Sequence, residues 1–397
     1  MTTDATIPGP PVRSVTSLNP DEPTMPEDGP TKTDFAYPAF YRTMIEREHL
    51  QVSRDESAWT ERHTAPERPV DVLLNFGCNV RQTPHLMREA VAVFEALGVD
   101  FAAVAGQQFC CGKPYSNNGL HDAARQVVRS SVKRMASYAP RTAIQWCSAC
   151  EMQFSDVVEP EVGIDFKSTG LASFLIRRLD ALGSATPWQT SVPTKVLVHG
   201  HLGEHRVRDA HPPVAMDLLR RVPGVEVIGL AETPTLGLCD NAGPRLATIG
   251  TQEYLDAQSA LEAYVADAGA DAIVTLYHGC TRELGKFASE RLAIRHYISI
   301  VAMALGISVP DRFSMLWRLG DPVKVAEASR PQWSSWGISE EEALQLAHKY
   351  FVPSYAVNAP ECPCNGDCTR TGAKFLSAYR LEPPTDDVEL IRPEDLV

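Results

Sequence analysis

PVDVLLNFGCN, residues 69–79, runs from β-forming apolar residues into a glycine turn and then a cysteine. It reads as a strand whose C-terminal end delivers Gly77 and Cys78. The helix-periodic stretch PHLMREAVAVFEALG (84–98) follows and stops at Gly98, and VDFAAVAG (99–106) reads as a second strand. Then come FCCGKP (109–114), with Cys110 and Cys111 side by side, and the helical HDAARQVVRSSVKRMASYA (121–139). TAIQWCSAC (142–150) is a third strand running into Cys147 and Cys150. Strands alternating with helices of this length predict a parallel α/β unit.

The same order recurs. TKVLVHGHLGEH (194–205) reads as a strand, PVAMDLLRRV (213–222) as a helix and VEVIGLAE (225–232) as a strand. The turn GLCDNAGP (237–244), a helix over 251–269 and the strand and loop DAIVTLYHGC (271–280) complete the unit. Val72 to Val196 is a shift of 124 residues, and Cys150 to Cys280 a shift of 130. An internal duplication follows, and it fixes the architecture more firmly than any single segment.

Outside the two units the composition changes. Residues 1–68 are rich in Pro, Thr, Asp and Glu, which predicts a disordered leader with a short helix near 39–51. The units are expected over 69–190 and 191–310. Helices are expected over 288–306 and 339–350, and residues 311–397 are expected to form a helical extension and a cysteine-containing tail. Of 397 residues, 37 are Lys or Arg and 50 are Asp or Glu, a net charge of −13, which argues against nucleic acid as a partner. The N-terminus lacks the basic start and apolar run of a signal peptide. The apolar run at 298–309 is too short to span a bilayer and reads as core, although peripheral membrane association stays open. A cytoplasmic location is the expectation. There glutathione keeps thiols reduced, so the ten cysteines point to metal ligands or redox groups rather than disulfides.

Cys78, Cys110, Cys111, Cys147 and Cys150 all sit at or just beyond the C-terminal ends of expected strands. Loops there converge on one crevice in open α/β sheets, so three loops can aim five thiols at one point. Tetrahedral zinc or a cubane cluster uses four thiolates, and an adjacent pair fits poorly on one metal atom. Buried apolar cysteines are the plain alternative. Neither a P-loop nor a G-x-G-x-x-G fingerprint nor a ferredoxin-type C-x-x-C-x-x-C run is present. Electrons reaching this centre must therefore come from another protein.

The pattern C-x31-CCG-x34-C-x-x-C resembles the cysteine-rich CCG domain of the B-type subunit of heterodisulfide reductase and its iron–sulfur relatives. With the degenerate second copy the resemblance covers about 70–310. It implies two tandem Rossmann-like CCG domains, with Cys78, Cys110, Cys111, Cys147 and Cys150 holding one noncubane 4Fe-4S cluster. The second copy departs from the family pattern. VHGHLGEH has lost its cysteine, the adjacent pair has become Leu238-Cys239-Asp240, and C-x-x-C has become Tyr277-His278-Gly279-Cys280. Two readings stand: a mononuclear zinc or iron site built from Cys239, Cys280, His199, His201 and His278, or a site kept only for its fold. Cys362, Cys364 and Cys368 in the tail form a third thiol group, read as metal ligands or a regulatory thiol pair.

The expected function is the iron–sulfur subunit of an oxidoreductase complex, relaying electrons to or from a partner, a quinone or a thiol/disulfide. A ferredoxin-like or flavoprotein subunit is the expected partner. A zinc- or cluster-stabilised scaffold without turnover is the alternative.

Overall fold

A computed structural model of the chain describes residues 37–61, 68–200, 206–231 and 251–352. Two helices come first, α1 (Tyr37–His49) and α2 (Arg54–Glu61). The first unit begins β1 (Val72–Asn75), α3 (Pro84–Ala96), β2 (Phe101–Val104), α4 (Lys113–Ser116) and α5 (His121–Ala136). It continues β3 (Thr142–Gln145), α6 (Ser148–Gln153), β4 (Lys167–Gly170) and α7 (Leu171–Leu182). The second unit runs β5 (Thr194–His199), α8 (Arg206–Leu219), β6 (Val225–Leu230) and α9 (Thr251–Asp267). Its second half is β7 (Ala272–Thr275), α10 (His278–Gly285), β8 (Ala293–His296) and α11 (Tyr297–Ala304). Four helices follow: α12 (Arg312–Leu319), α13 (Pro322–Ala328), α14 (Arg330–Ser335) and α15 (Glu340–Phe351).

Both sheets have four parallel strands, in the orders β2-β1-β3-β4 and β6-β5-β7-β8. Their registers correspond. Val72 aligns with Phe101 and Thr142, and Thr142 with Lys167. In the second sheet Val196 aligns with Val227 and Ala272, and Ala272 with Ala293. The duplication read from spacing is therefore present strand by strand. The central strands VLLN and AIVT are buried along their whole length because helices cover both faces, as parallel sheets require. One core, containing Leu74, Ile144, Val198 and Val274, runs through both units together with Leu86 of α3, Leu175 of α7, Leu218 of α8 and Val301 of α11.

Three expectations are corrected. The leader expected over 1–68 carries its expected short helix, as α1 at 37–49, and also a helix at 54–61 that was not expected. Tyr41, Met44 and Glu48, at i, i+3 and i+7, are buried along one side of α1, and a single stripe among polar residues hardly changes the composition. The helix expected over 288–306 contains β8 at 293–296 and becomes α11 only at Tyr297. Ile294 and His296 turn inward and Arg295 outward, a period of two. Each sheet also has a fourth strand that sequence reading did not supply. The apolar run at 298–309 is core, since Ile298, Val301, Ala302 and Ala304 are fully buried. Among the described residues no helix is long and apolar enough to cross a membrane.

Candidate functional site

The strand order places β1 between β2 and β3, so the three loops carrying thiols leave the same sheet edge side by side. Asn75 ends β1 and Gln145 ends β3. Asn75 Nδ2 donates to Gln145 Oε1 at 2.9 Å, and Gly77 N–H donates to Asn75 Oδ1 at 3.0 Å. This buried amide bridge ties the Cys78 loop to the Cys147 loop. Gly106 N–H donates to the Gly77 carbonyl at 2.8 Å, which brings in the loop leading to Cys110.

Cys78, Cys110, Cys111, Cys147 and Cys150 form no disulfides, and only Cys147 is partly exposed. The structure brings all five together. Side-chain contacts run from Cys78 to Cys110, Cys110 to Cys111, Cys111 to Cys150 and Cys150 to Cys147. Their protonation is graded. Hydrogen bonding to Cys110 and burial push the Cys78 thiol up. The Cys110 contact and burial also raise Cys111, and contacts with Cys111 and Cys147 raise Cys150. Cys147 goes the other way, to about 7, held down by its hydrogen bond with Cys150 and by the backbone N–H groups of Cys150 and Ala149. Cys147 is the N-cap of α6, where unpaired N–H groups favour an anion. Gly112 N–H donates to Cys110 Sγ at 3.4 Å.

Two glycines shape the turns. Gly77 has φ +66°, and a Cβ there would stand 3.1 Å from Cys150 Sγ. Gly112 has φ +77°, and a Cβ there would meet the Ala124 carbonyl at 2.7 Å. The space beside Gly112 is therefore taken by α5. The close approach to the thiols belongs to Gly77.

The second set fares differently. His201, Cys239, Cys362, Cys364 and Cys368 lie outside the described residues. His199, His278 and Cys280 are buried, and among the described residues no group of three or more His, Cys, Asp or Glu side chains is arranged to hold a metal ion. His278 Nδ1 accepts from the Trp146 indole N–H at 3.2 Å, and His296 stacks on the same indole with ring centroids 5.0 Å apart. Burial pushes both imidazoles down to about 3, so they are neutral. His278 thus holds the residue just before Cys147. Tyr277, at the position corresponding to Cys147, contacts His211 Nδ1 through Oη at 2.8 Å, and His211 Nε2 lies 2.8 Å from the carboxylate of Glu151, next to Cys150. Trp146, Glu151, His211 and Tyr277 line a cleft between the units with about 370 Å³ of free space, including the part open to solvent. Spacing did not single out His211, Glu151 or Trp146. None belongs to a motif, and only the fold brings them together.

Paired parallel sheets with five thiols at the strand ends of one of them define a cysteine-rich α/β protein. Residues 72–155 match the CCG family, described as the cysteine-rich domain, and this segment is a domain of that family. The chain is similar to the D-type subunit of the dihydromethanophenazine:CoB–CoM heterodisulfide reductase of Methanosarcina barkeri (strain Fusaro / DSM 804). The two are 23% identical over 276 residues, 66% of this chain and 65% of that one. It is also similar to the C-type subunit of the anaerobic glycerol-3-phosphate dehydrogenase of Escherichia coli (strain K12), 26% identical over 238 residues, 58% of each chain. The matched region thus spans 58–65% of the length of these relatives. A solved aspartate racemase homologue from Pyrococcus horikoshii OT3 aligns at 12% identity and a TM-score of 0.32. It covers 59% of this chain and 96% of that one, and is too distant to bear on fold or chemistry.

Proposed function

We propose that this chain is an iron–sulfur redox subunit, with Cys78, Cys110, Cys111, Cys147 and Cys150 as the ligands of one noncubane 4Fe-4S cluster. It passes electrons to or from a ferredoxin-like or flavin-bearing partner, a quinone or a thiol/disulfide. The carrying observation is the unbroken run of contacts among five thiols from three strand-end loops, inside the segment that matches the CCG family. The number of thiols suits a multinuclear group. Five thiols exceed what one tetrahedral ion uses, and they touch one another in sequence. Two adjacent cysteines suit a group whose several metal atoms share the ligands.

When bound, such a cluster supplies one-electron transfer at a potential set by burial and by hydrogen bonds to sulfur. The chain supplies the rest. The α6 N-terminus stabilises negative charge on Cys147, and the Gly112 N–H does so on Cys110. The Asn75–Gln145 bridge holds two of the loops, and burial of four thiols keeps water out. Purification without oxygen tests the reading. A brown protein with about four irons and four sulfides per chain is expected. So is an electron paramagnetic resonance signal that changes when a thiol or disulfide is added, with colour lost in Cys110→Ser and Cys147→Ser. A colourless protein containing only zinc overturns it.

A further inference from the structure

Helix α1 lies outside the matched residues 72–155, yet its buried side reaches the thiols. Tyr41 and Met44 pack in one buried cluster with Cys78, Cys110 and Val127. Tyr41 Oη accepts from the Gln107 N–H at 2.9 Å and from Arg81 Nη1 at 3.0 Å. Gln107 opens the turn that leads into Cys110, and Arg81 lies in the turn that Cys78 caps. A single phenol therefore joins the loop after β1 to the loop after β2. Arg81 is itself fixed, since its Nε donates to Glu48 Oε2 at 2.6 Å while Glu48 Oε1 accepts from the Ser57 hydroxyl at 3.1 Å. Just past α1, Gln51 Nε2 donates to the Gln82 carbonyl at 3.1 Å. Burial raises the Tyr41 pKa, Arg81 works against the rise, and nearby Cys78 adds to it.

A residue that only covered the thiols would need its ring and not its hydroxyl. Tyr41 uses the hydroxyl on both loops at once. We propose that Tyr41 is a positioning residue for the thiol site: through Gln107 and Arg81 it sets the spacing of Cys78 and Cys110, while α1 keeps water from both. The proposal rests on the five thiols forming one site, as proposed above, but not on which metal they hold. Without the hydroxyl the Gly106–Gly77 backbone bond is left as the tie at the base of the two loops, and thiols that are reached only by local opening become easier to reach.

The test is alkylation of the full chain by iodoacetamide, after chelator treatment under reducing anaerobic conditions, with each cysteine followed by peptide mass mapping. In Tyr41→Phe, Cys78 and Cys110 are expected to react about fivefold faster than in the wild type, the effect on each loop of the one hydrogen bond that it loses. Cys280, buried in the second unit, is expected to keep its rate and serves as the internal control. Arg81→Lys keeps the charge but loses the fork that reaches Tyr41 and Glu48, and the same selective rise is expected there. Unchanged rates at Cys78 and Cys110 in a Tyr41→Phe chain with a normal melting transition overturn the proposal. An equal rise at Cys280 also overturns it, because that marks general loosening. Alkylation reads thiols, so an absence of iron overturns the iron–sulfur reading without touching this comparison.

Discussion

Gly77 carries two constraints at once, a left-handed φ of +66° and a neighbouring sulfur that a Cβ would approach to 3.1 Å. Gly77→Ala is expected to cost about 1–3 kcal/mol of stability, measured by urea unfolding, and to weaken retention of the proposed cluster. A different buried group sets a pH dependence. Glu89 on α3 accepts from the Ser299 hydroxyl at 2.6 Å, and burial raises its carboxyl from the usual 4.5 to about 7. Below 4.5 the folded and unfolded chains both hold this proton. Between 4.5 and 7 the unfolded chain releases it and the folded chain keeps it, so stability falls as pH rises. Above 7 the contribution is level, after a loss of about 3 kcal/mol. Glu89→Gln is expected to flatten that decline in unfolding curves taken across the window. Both effects were hidden in the sequence. Gly77 looks like an ordinary turn glycine until Cys150 is placed beside it, and Glu89 looks like a solvated helix residue until β8 and α11 cover it.

Among the elements, α6 does the most chemistry for its length. The Cys150 side chain and, after it, the first N–H groups of the helix bring the Cys147 thiol to about 7. In metal-free full chain, Cys147 is therefore expected to react with iodoacetamide at a rate that rises through a midpoint near pH 7, read by mass mapping. Cys78, Cys111 and Cys150 are raised instead and are expected to lag at that pH. The elements also show where sequence reading stops. β1 and β7 are continuous apolar runs ending in turn residues, and their strand character is plain from VLLN and AIVT. β4 is KSTG, an edge strand with no apolar run, so nothing in its four residues announces it. β8 is AIRH, whose alternation is too short to stand out against the apolar helix that follows. Edge strands on two-sided sheets take their place from pairing with a neighbour, and a single sequence does not display that partner.

At the scale of the molecule, the second unit supports the first. Trp146, just before Cys147, is held by His278 and His296 of the second unit, while Tyr277 and His211 reach Glu151 just after Cys150. A double-mutant cycle between Trp146→Phe and His278→Ala is expected to show a coupling of about 0.5–3 kcal/mol in unfolding experiments, and a value near zero would mean the contact carries no stability. The duplication and the five thiols were legible because spacing survives as a pattern in one chain. The second unit's part was not, because nothing in a single sequence sets Trp146 against His278. Helix α1 adds a matter of timing. Its seat includes not only the turns after β1 and β2 but also Lys349 Nζ and the Tyr350 hydroxyl, 2.8 and 2.5 Å from Glu46 Oε2. Leu50, just past α1, packs with Phe313, Trp317 and Phe351. On the ribosome this helix is made before everything it rests on. Order of synthesis and order of docking are thus reversed, and the seat of α1 is complete in the nascent chain only once the last described helix has emerged.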